Sequence, residues 1–591
     1  MPGLIIYNLF NIKTRFNIFL IIVIGISLAV NSNIVLLLCL LNVYNKSSLL
    51  LLILIEFIFI IYFLFIKKKI KESTFIYLNK FNYDNNNEIS KNTNDRFLYI
   101  VKYCHLVIFI LFAYVLVSPA GLAGLGEIFK FADAVFSWNR WAVDLATTNK
   151  PVNPMGYPQL LPAIFSIPYV LMEDVWVQFF SYAICLIFPS YMFLIILSIF
   201  EKFPISSFIT AVVVFLWPVQ KFVHYAGYAD FPVSIMGFLA TGALLWGYKE
   251  NEITRIKCLF LSVIFLGATG AIKQAGLLLL IFFPFIVYEF SILSSLKRNL
   301  KVKIIIAVAF ITIFFALPWY IYYQYLLKIG QATSNFQALT QGMHENRTYL
   351  ERFLLSISRW PGIFILCILG IPGLFVRENR FISAFGITYI VIWMFFYSYD
   401  ARNSYLAIPF LAFSVGLSLQ KFILSHYNFV NNLNFNFLIY INKHKSKFLL
   451  LFLIIFIILM PIIIYKSDNI DNSLYKRQDR KVLSINFNDR DYKFISNLLV
   501  TDPNFIIITN DQFLKFTSRN LKNRLYYIEY NTSITMNIVN NYIDNTLINN
   551  PNKPVYLYFT DKLQNFLNDK KFIDSTIIFN GRGTLYKVNN K

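Results

Sequence analysis

The chain has 591 residues, of which 57% are hydrophobic, 18% aromatic and only 14% charged. Its mean hydropathy of +0.58 excludes a soluble globular protein, because a soluble core cannot bury that much apolar surface. The net charge of +22 does not indicate a nucleic-acid-binding protein, since the lysines and arginines lie in short clusters between long apolar runs. That arrangement is typical of a polytopic membrane protein whose basic clusters lie on the cytoplasmic side.

Two apolar runs near the start of the chain predict a transmembrane hairpin over residues 1–66. The run from Phe16, FNIFLIIVIGISLAVNSNIVLLLCLL, exceeds the roughly 20 residues that a helix needs to cross a bilayer. The second run covers 49–66, and the cluster KKKIK at 67–71 places its end in the cytoplasm. The polar residues 67–98 are interpreted as a cytoplasmic linker.

Residues 99–466 contain further apolar runs separated by short polar clusters. Together with the hairpin they predict a polytopic α-helical protein of about thirteen transmembrane helices, with every basic cluster on one side. In chain order these spans are predicted at about 99–118, 175–199, 205–222, 231–248, two within 257–292, 304–325, 352–375 and the three apolar runs that follow. Between the first two lies an extracytoplasmic loop, 119–174. It includes a short apolar segment, 157–171, whose three prolines favour a helix lying at the membrane interface.

The loop 119–174 carries both charge signs beside two tryptophans. A helix over 131–145 would place its polar side chains on one face, namely Asp133, Ser137, Arg140 and Asp144. The plainer interpretation is an interfacial helix in which Arg140 pairs with Asp144 at i,i+4 while Trp138 and Trp141 lie among lipid headgroups. Asp133 has no basic residue three or four positions further on, so its carboxylate is left available for chemistry.

Further polar clusters fall on the same predicted side of the membrane. They are HYAGYAD ending at Asp230, GAIKQAG with Lys273, GMHENR with His344 and Glu345, and ARNSY with Arg402. Asp230 directly precedes an apolar run. A charge at such a position is costly unless it forms an ion pair or takes part in function. An aspartate there can also simply cap a helix. Lys273 can likewise be a lysine that snorkels to the interface. Together, Lys273 and Arg402 could bind a phosphate or pyrophosphate. The lysine ammonium supplies a point charge, and the arginine guanidinium donates two parallel hydrogen bonds.

The last predicted span leads to residues 467–591, whose composition is that of a soluble domain outside the cytoplasm. Four runs favour β-strands, FIIITND, RLYYIEY, VYLYFTD and STIIFNG, and the stretches between them could form helices. Such alternation predicts a small α/β domain. It has no GxGxxG or P-loop signature, and we interpret it as a cap or an acceptor-binding module. The chain's five cysteines lie in or beside apolar segments without CxxC spacing, which indicates neither a disulfide framework nor a zinc site.

The order of the motifs resembles that of the GT-C glycosyltransferases, specifically those of the protein O-mannosyltransferase and lipid A aminoarabinose transferase type. The resemblance rests on DAVFSWNRWA, KPVNPMGYPQLLPAIFSIPY, HYAGYADFPVSIMGFLATGALL, FLGATGAIKQAGLLLL, ALPWYIYY and ARNSYLAIPFLAF. It covers roughly residues 99–425. The chain departs from the family pattern where Ala134 follows Asp133 in place of a second acid, and where Lys150 lies upstream of the proline-rich element.

The resemblance implies transfer of a sugar from a polyprenyl-phosphate donor, with the phosphate near Lys273 and Arg402, to a glycan, lipid or protein acceptor outside the cytoplasm. A carboxylate takes the acceptor's proton in such a reaction while cations stabilise the departing phosphate. Asp133 is the predicted base, with inversion at the anomeric carbon. Asp230 is predicted to orient the acceptor or the sugar, or to help hold a divalent cation such as Mg²⁺ or Mn²⁺. Weaker substrate-binding candidates are Arg140, Asp144, Trp138, Trp141, Tyr157, His344 and Glu345.

Two other functions stay open at the level of sequence. A flippase or transporter of a lipid-linked saccharide would show inverted repeats and ionisable residues at mid-bilayer, and neither is evident. A polysaccharide polymerase or ligase could use the loop with His344, Glu345 and Arg347. The expected location is a prokaryotic plasma membrane.

Overall fold

The structure is a computed structural model. It describes residues 2–10, 16–65, 134–149, 156–171, 187–200, 202–216, 228–330, 347–396 and 401–431, and, further on, 495, 498, 504–509, 524–527, 544–546, 548–549, 553–560, 576–580 and 583–588. Several predictions fall outside these residues: the linker 67–98, the span at about 99–118, the helices between the C-terminal strands, Asp133, and the loop with His344 and Glu345.

The described chain is mostly helical up to residue 431. In chain order the helices are α1 Pro2–Phe10, α2 Phe16–Leu40, α3 Lys46–Phe65, α4 Arg140–Thr148, α5 Leu160–Leu171, α6 Ile187–Ser198, α7 Pro204–Leu216, α8 Asp230–Gly247, α9 Glu252–Ile272, α10 Leu277–Glu289, α11 Arg298–Ala316, α12 Pro318–Lys328, α13 Tyr349–Arg359, α14 Pro361–Gly370, α15 Arg380–Phe396 and α16 Ile408–Asn431. A π-helical turn, Ala134–Asn139, precedes α4. Short 3₁₀ turns lie at Gln274–Gly276, Ile371–Phe375, Arg377–Asn379 and Ala401–Ser404.

Five of the described helices are long and apolar enough to cross a membrane, or six if one bent pair counts as a single span. They correspond to α2, α8, α9, α11 and α15. Together with the composition, they support an integral membrane protein. The number thirteen stays a prediction, because other predicted spans lie partly outside the described residues or form helices of 10–17 residues.

The segment predicted to span the membrane at about 352–375 is bent in the structure. Two helical segments, Tyr349–Arg359 and Pro361–Phe375, meet there at an angle of 98°. Trp360 leaves the helical conformation at φ −133° and ψ 55°, as a residue that precedes proline tends to do. The N-terminus of α13 is fixed by a capping box, in which Thr348 and Glu351 bond each other's backbone.

Helix α8 lies at the centre of the bundle. All of its residues from Asp230 to Gly247 are buried, and it packs closely against α9. The N-terminal helix α2 joins the same apolar core, and the Tyr191 hydroxyl donates to the Ile21 carbonyl oxygen at 2.6 Å. The short helix α5 is also buried on most sides, and its Ser166 shares a hydrogen bond of 2.7 Å with Tyr44. This helix therefore packs among other helices, and its predicted position at the membrane interface stays a prediction.

Charged side chains join several loops at one end of α8, which we call the basic end and define by Lys202, Glu250, Arg255, Glu378 and Lys421. The Lys202 ammonium bonds the carbonyl oxygens that end α8 and pairs with Glu250 at 2.8 Å. Lys421 pairs with Glu378 at 3.2 Å, and Arg255 bonds the turn after α10. Predicted cytoplasmic clusters from distant parts of the chain thus meet at a single end, as the alternation of spans requires.

The C-terminal strands form one sheet with the order β2-β1-β3-β5-β4. The strands are β1 Ile506–Thr509, β2 Leu525–Tyr527, β3 Val555–Thr560, β4 Thr576–Asn580 and β5 Gly583–Val588. β1 pairs parallel with β2 and β3, whereas β5 pairs antiparallel with β3 and β4. The four predicted strands are confirmed, and β5 was not anticipated. The α/β character of this region stays a prediction.

Candidate active site

Lys273 lies in a tight turn between two apolar helices. Helix α9 ends at Ile272, Lys273 is extended at φ −151° and ψ 142°, and the 3₁₀ turn Gln274–Gly276 leads directly into α10. The Gly276 amide donates to the Lys273 carbonyl oxygen at 2.9 Å. A Cβ on Gly276 would lie 2.4 Å from the Thr269 carbonyl oxygen, so this position has room only for glycine. The turn therefore holds Lys273 at the end of the bundle opposite to the basic end.

The Lys273 ammonium bonds two side chains from other elements. It forms an ion pair with the Asp230 carboxylate and donates to the Asn403 side-chain oxygen at 2.8 Å. The Tyr389 hydroxyl donates to the Asn403 carbonyl oxygen at 2.8 Å. These contacts join α8, the turn after α9, the segment Ala401–Ser404 and α15. We call this end of the bundle the site end.

Both of the plainer interpretations of these two charged residues are wrong. The helix cap before Asp230 is Ala229, and no side chain caps α8, so Asp230 is the first residue of the helix and not its cap. The Lys273 side chain is only 15% exposed and is paired, so it does not snorkel to the interface.

Arg402 belongs to the same site. Its guanidinium carbon lies 4.1 Å from the centre of the Tyr228 ring, a distance typical of a cation–π contact. Tyr228 is two residues before Asp230, and Arg402 directly precedes Asn403. The structure therefore brings together Asp230, Lys273 and Arg402, which the sequence singled out from three separate segments.

The electrostatics of the site favour an anion. Helix α8 begins at Asp230, and the 3₁₀ turn that leads into α10 begins just after Lys273. Each helix N-terminus carries about half a positive charge, because its first amide groups have no partner within the helix. Among the residues in these contacts, the only carboxylate is Asp230, whereas Lys273 and Arg402 are both cations. An anionic group of a substrate would thus meet the Lys273 ammonium, the Arg402 guanidinium and a helix N-terminus among the described residues.

The residues of the first predicted loop pack beside this site. The predicted i,i+4 pair is confirmed, with the Arg140 Nε atom 3.8 Å from a carboxylate oxygen of Asp144. Trp138 and Trp141 are buried, with ring centres 5.0 Å apart, and each ring centre lies 5.5 Å from that of Tyr157. The interpretation of the two indoles as headgroup anchors is wrong, because other residues enclose them. Stacking of these three rings on a sugar stays a prediction, and the contacts seen here are packing contacts.

One residue connects this aromatic cluster to the site. Gln274, which follows Lys273, donates from its side-chain amide to the Gly156 carbonyl oxygen at 2.6 Å. Gly156 has φ +77°, which favours glycine, and Tyr323 of α12 packs against it. Tyr320, on the same helix, donates to the Gly270 carbonyl oxygen at 2.8 Å. Helix α12 thus covers the turn that carries Lys273.

The divalent cation predicted near Asp230 stays a prediction. Within the part of the chain that the structure describes, no three His, Cys, Asp or Glu residues form a group that could hold a metal ion. The Asp230 carboxylate already faces the Lys273 ammonium, which would repel a second cation. Asp133, His344 and Glu345 lie outside the described residues, and their predicted roles stay predictions.

Sequence reasoning missed three contributors to the site: Asn403, Tyr228 and Tyr389. Asn403 directly follows Arg402 in ARNSY, and Tyr228 lies within HYAGYAD, so both were in segments that the charges had singled out. Neither residue type is unusual in a polar loop. Tyr389 lies within the apolar helix α15, and nothing in the sequence distinguishes it from the chain's other tyrosines.

Solved structures similar to this chain include two of ArnT from Cupriavidus metallidurans. The apo state has a TM-score of 0.47 and 11% identity, covering 84% of this chain and 99% of that chain. The structure bound to undecaprenyl phosphate has a TM-score of 0.49 and 10% identity, covering 83% and 98%. The archaeal oligosaccharyltransferase AglB from Archaeoglobus fulgidus, in complex with an inhibitory peptide and a dolichol-phosphate, has a TM-score of 0.38 and 12% identity, covering 83% and 74%.

No protein-family model and no curated protein matches the chain. The three solved structures are of the kind that the sequence resembles. At these identities and scores, the likeness assigns neither an activity nor a role for any residue of this chain.

Proposed function

We propose that the chain is an integral membrane glycosyltransferase that moves a sugar from a polyprenyl-phosphate donor to an acceptor outside the cytoplasm. The observation that carries the proposal is the convergence of Lys273 and Arg402 at one end of an apolar bundle, beside a helix N-terminus and the Asp230 carboxylate. A lipid-linked phosphate suits such a position, because its prenyl chain can follow the apolar helices while its headgroup meets the cations.

The proposed chemistry is a displacement at the anomeric carbon of the donor sugar. The acceptor hydroxyl oxygen attacks this carbon, the bond from the carbon to the phosphate oxygen breaks, and the polyprenyl phosphate leaves with the electron pair. Lys273 and Arg402 stabilise the charge that develops on the phosphate. Asp133 takes the proton of the acceptor hydroxyl, and attack from the face opposite the phosphate inverts the anomeric configuration.

Two features favour transfer over the flippase alternative. Asp230 and Lys273 both lie at helix ends, whereas a translocation site is typically found near the bilayer midplane. The same two residues are paired with each other, so neither offers an unpaired charge along a transport path. A polymerase or ligase would share the donor phosphate site and differ in its acceptor.

Transfer of radiolabelled sugar tests the proposal. Purified protein is incubated with a panel of undecaprenyl-phosphate sugars and extracted cell-envelope material, and wild type is compared with Asp133→Asn. We expect transfer from at least one donor, and a loss of about 100-fold or more in the variant, as for removal of a general base. Equal transfer by both proteins would exclude Asp133 from the mechanism. Movement of donor across liposomes without any transfer would favour the flippase.

A further inference from the structure

We infer that Asp230 and Asn403 form a clamp that positions the Lys273 ammonium, and that Asp230 is a positioning residue and not an acid–base group. The inference rests on the proposed function for its claim that the ammonium binds the donor phosphate. The clamp itself is defined by the two bonds from the Lys273 Nζ atom.

A lysine ammonium has three N–H groups, all of them donors. In Lys273 two of the three are directed to the Asp230 and Asn403 oxygens, which leaves one for a ligand. An unrestrained lysine is a point charge on a flexible four-carbon chain. Fixing that charge before the substrate binds removes the cost of ordering it during the reaction, and such preorganisation is a main source of electrostatic catalysis.

Asp230 is already engaged as the partner of the Lys273 ammonium. Its side chain is only 8% exposed, and its carboxylate faces the ammonium. Removing this carboxylate would leave the ammonium without its countercharge in a mostly buried site, and breaking a buried pair in this way is strongly destabilising. A carboxylate so held serves better as a fixed anchor than as a base.

Asn403 supplies the second anchor without a second negative charge. An aspartate at this position would give two carboxylates against two cations and would cancel the attraction for an anion. The segment that carries Asn403 is itself held on two sides, by the Tyr389 hydroxyl on the Asn403 carbonyl oxygen and by Arg402 on the Tyr228 ring. A neutral amide on a fixed segment therefore orients Lys273 without adding negative charge to the site.

Chemical labelling of the Lys273 amine tests the clamp independently of any activity. The purified protein is treated with an amine-selective reagent, and the modified peptide is quantified by mass spectrometry in wild type, Asp230→Asn and Asn403→Ala. Losing one anchor worth about 1 kcal/mol should raise the labelling rate about fivefold in each variant. Glu250→Gln is the matched control, since it breaks a lysine–carboxylate pair at the basic end and should leave Lys273 labelling unchanged. Unchanged labelling in both clamp variants would overturn the clamp.

Transfer kinetics test the role of Asp230. If it acts through Lys273, Asp230→Asn and Asn403→Ala should lower kcat/KM for the donor by similar factors, about tenfold each, because both loosen the same ammonium. In a Lys273→Met background, Asp230→Asn should then have no further effect on transfer. A loss of kcat of about 100-fold in Asp230→Asn, with Asn403→Ala unaffected, would show an acid–base role and overturn the inference. Absence of transfer by folded wild type would defeat the proposed function, and the labelling result would still decide the clamp.

Discussion

At the scale of single residues, the site combines two cations with different chemistry. Lys273 is held by two oxygen acceptors, whereas the Arg402 guanidinium lies over the Tyr228 ring. A planar guanidinium can stack on a ring and still present its N–H groups to a phosphate, and an ammonium cannot combine these functions in the same way. The two residues are therefore not interchangeable.

Replacing Arg402 by lysine keeps the positive charge but removes the planar guanidinium, which stacks on the Tyr228 ring and can donate two parallel hydrogen bonds. We expect Arg402→Lys to raise the donor KM about tenfold, and Arg402→Met to raise it further. The measurement is sugar transfer over a range of donor concentrations. Arg298→Lys, at the start of α11, is the control for a general effect of such a change. A donor KM that is the same in Arg402→Lys and wild type would contradict a bidentate role.

Sequence alone identified Asp230, Lys273 and Arg402, because each is a charged residue set against apolar sequence, where charge is costly. It could not identify the pairing of Asp230 with Lys273, which depends on how α8 and α9 pack. Asn403 was missed for a related reason. Its importance comes from the direction of a neighbouring lysine side chain, and no local pattern encodes that direction.

At the scale of elements, the central helix α8 is fixed at both ends by lysines from other segments. Lys273 binds its first residue, Asp230. At the other end, the Lys202 ammonium donates to the carbonyl oxygens of Trp246 and Tyr248, both at 2.7 Å. A cation at a helix C-terminus also interacts favourably with the helix dipole.

Removing the Lys202 ammonium from the C-terminus of α8 should lower the stability of the bundle without changing the residues of the site end. We expect Lys202→Met to destabilise the protein by about 1–3 kcal/mol, since two carbonyl groups lose a charged donor. Thermal unfolding in detergent measures the effect, with Lys303→Met on the exposed face of α11 as the control. If the two variants unfold at the same temperature, the Lys202 ammonium contributes nothing.

Tyr248, which follows α8, predicts a pH dependence. Burial and the nearby Glu378 carboxylate raise its pKa from 10.0 to about 12. The folded chain therefore binds this proton more tightly than the unfolded chain, and stability falls as the pH rises from 10.0 to about 12. Tyr248→Phe should show a shallower decline in melting temperature across that window. Tyr288→Phe, at an exposed tyrosine, should decline as steeply as wild type.

How well the sequence predicted each helix or strand depended on how regular its local pattern of apolar residues is. Helix α2 and the four C-terminal strands are recognisable because their apolar runs are uninterrupted and their lengths are typical. The break between α13 and α14 was missed, although Pro361 and the arginines of α13 are visible in the sequence. Hydropathy averaged over the whole stretch conceals an amphipathic helix joined to an apolar one.

At the scale of the whole molecule, polar groups are sorted to two ends of an apolar bundle. The basic end collects residues from the loops around α8, α10, α15 and α16, and the site end collects Asp230, Lys273 and Arg402. The positive-inside rule predicts that the basic end faces the cytoplasm, and the site end is then expected to face outward.

Cysteine accessibility in intact cells tests this orientation. The chain has five cysteines, so the experiment uses a background in which all five are replaced by alanine and an introduced cysteine gives the whole signal. A membrane-impermeant maleimide should label Ser47→Cys, in the exposed first turn of α3 at its predicted external end, in intact cells. It should label Lys297→Cys, before α11, only after the membrane has been opened. The reverse pattern would invert the topology and place the site in the cytoplasm.

Binding of undecaprenyl phosphate to the purified protein in nanodiscs tests the phosphate site most directly. Wild type, Lys273→Met and Arg402→Met are compared, with Arg298→Met as a control at the start of α11. We expect each site variant to bind the lipid about 10- to 100-fold more weakly, as for loss of a charge-assisted hydrogen bond, while the control binds like wild type. Equal binding by all four proteins would show that Lys273 and Arg402 do not hold the donor phosphate.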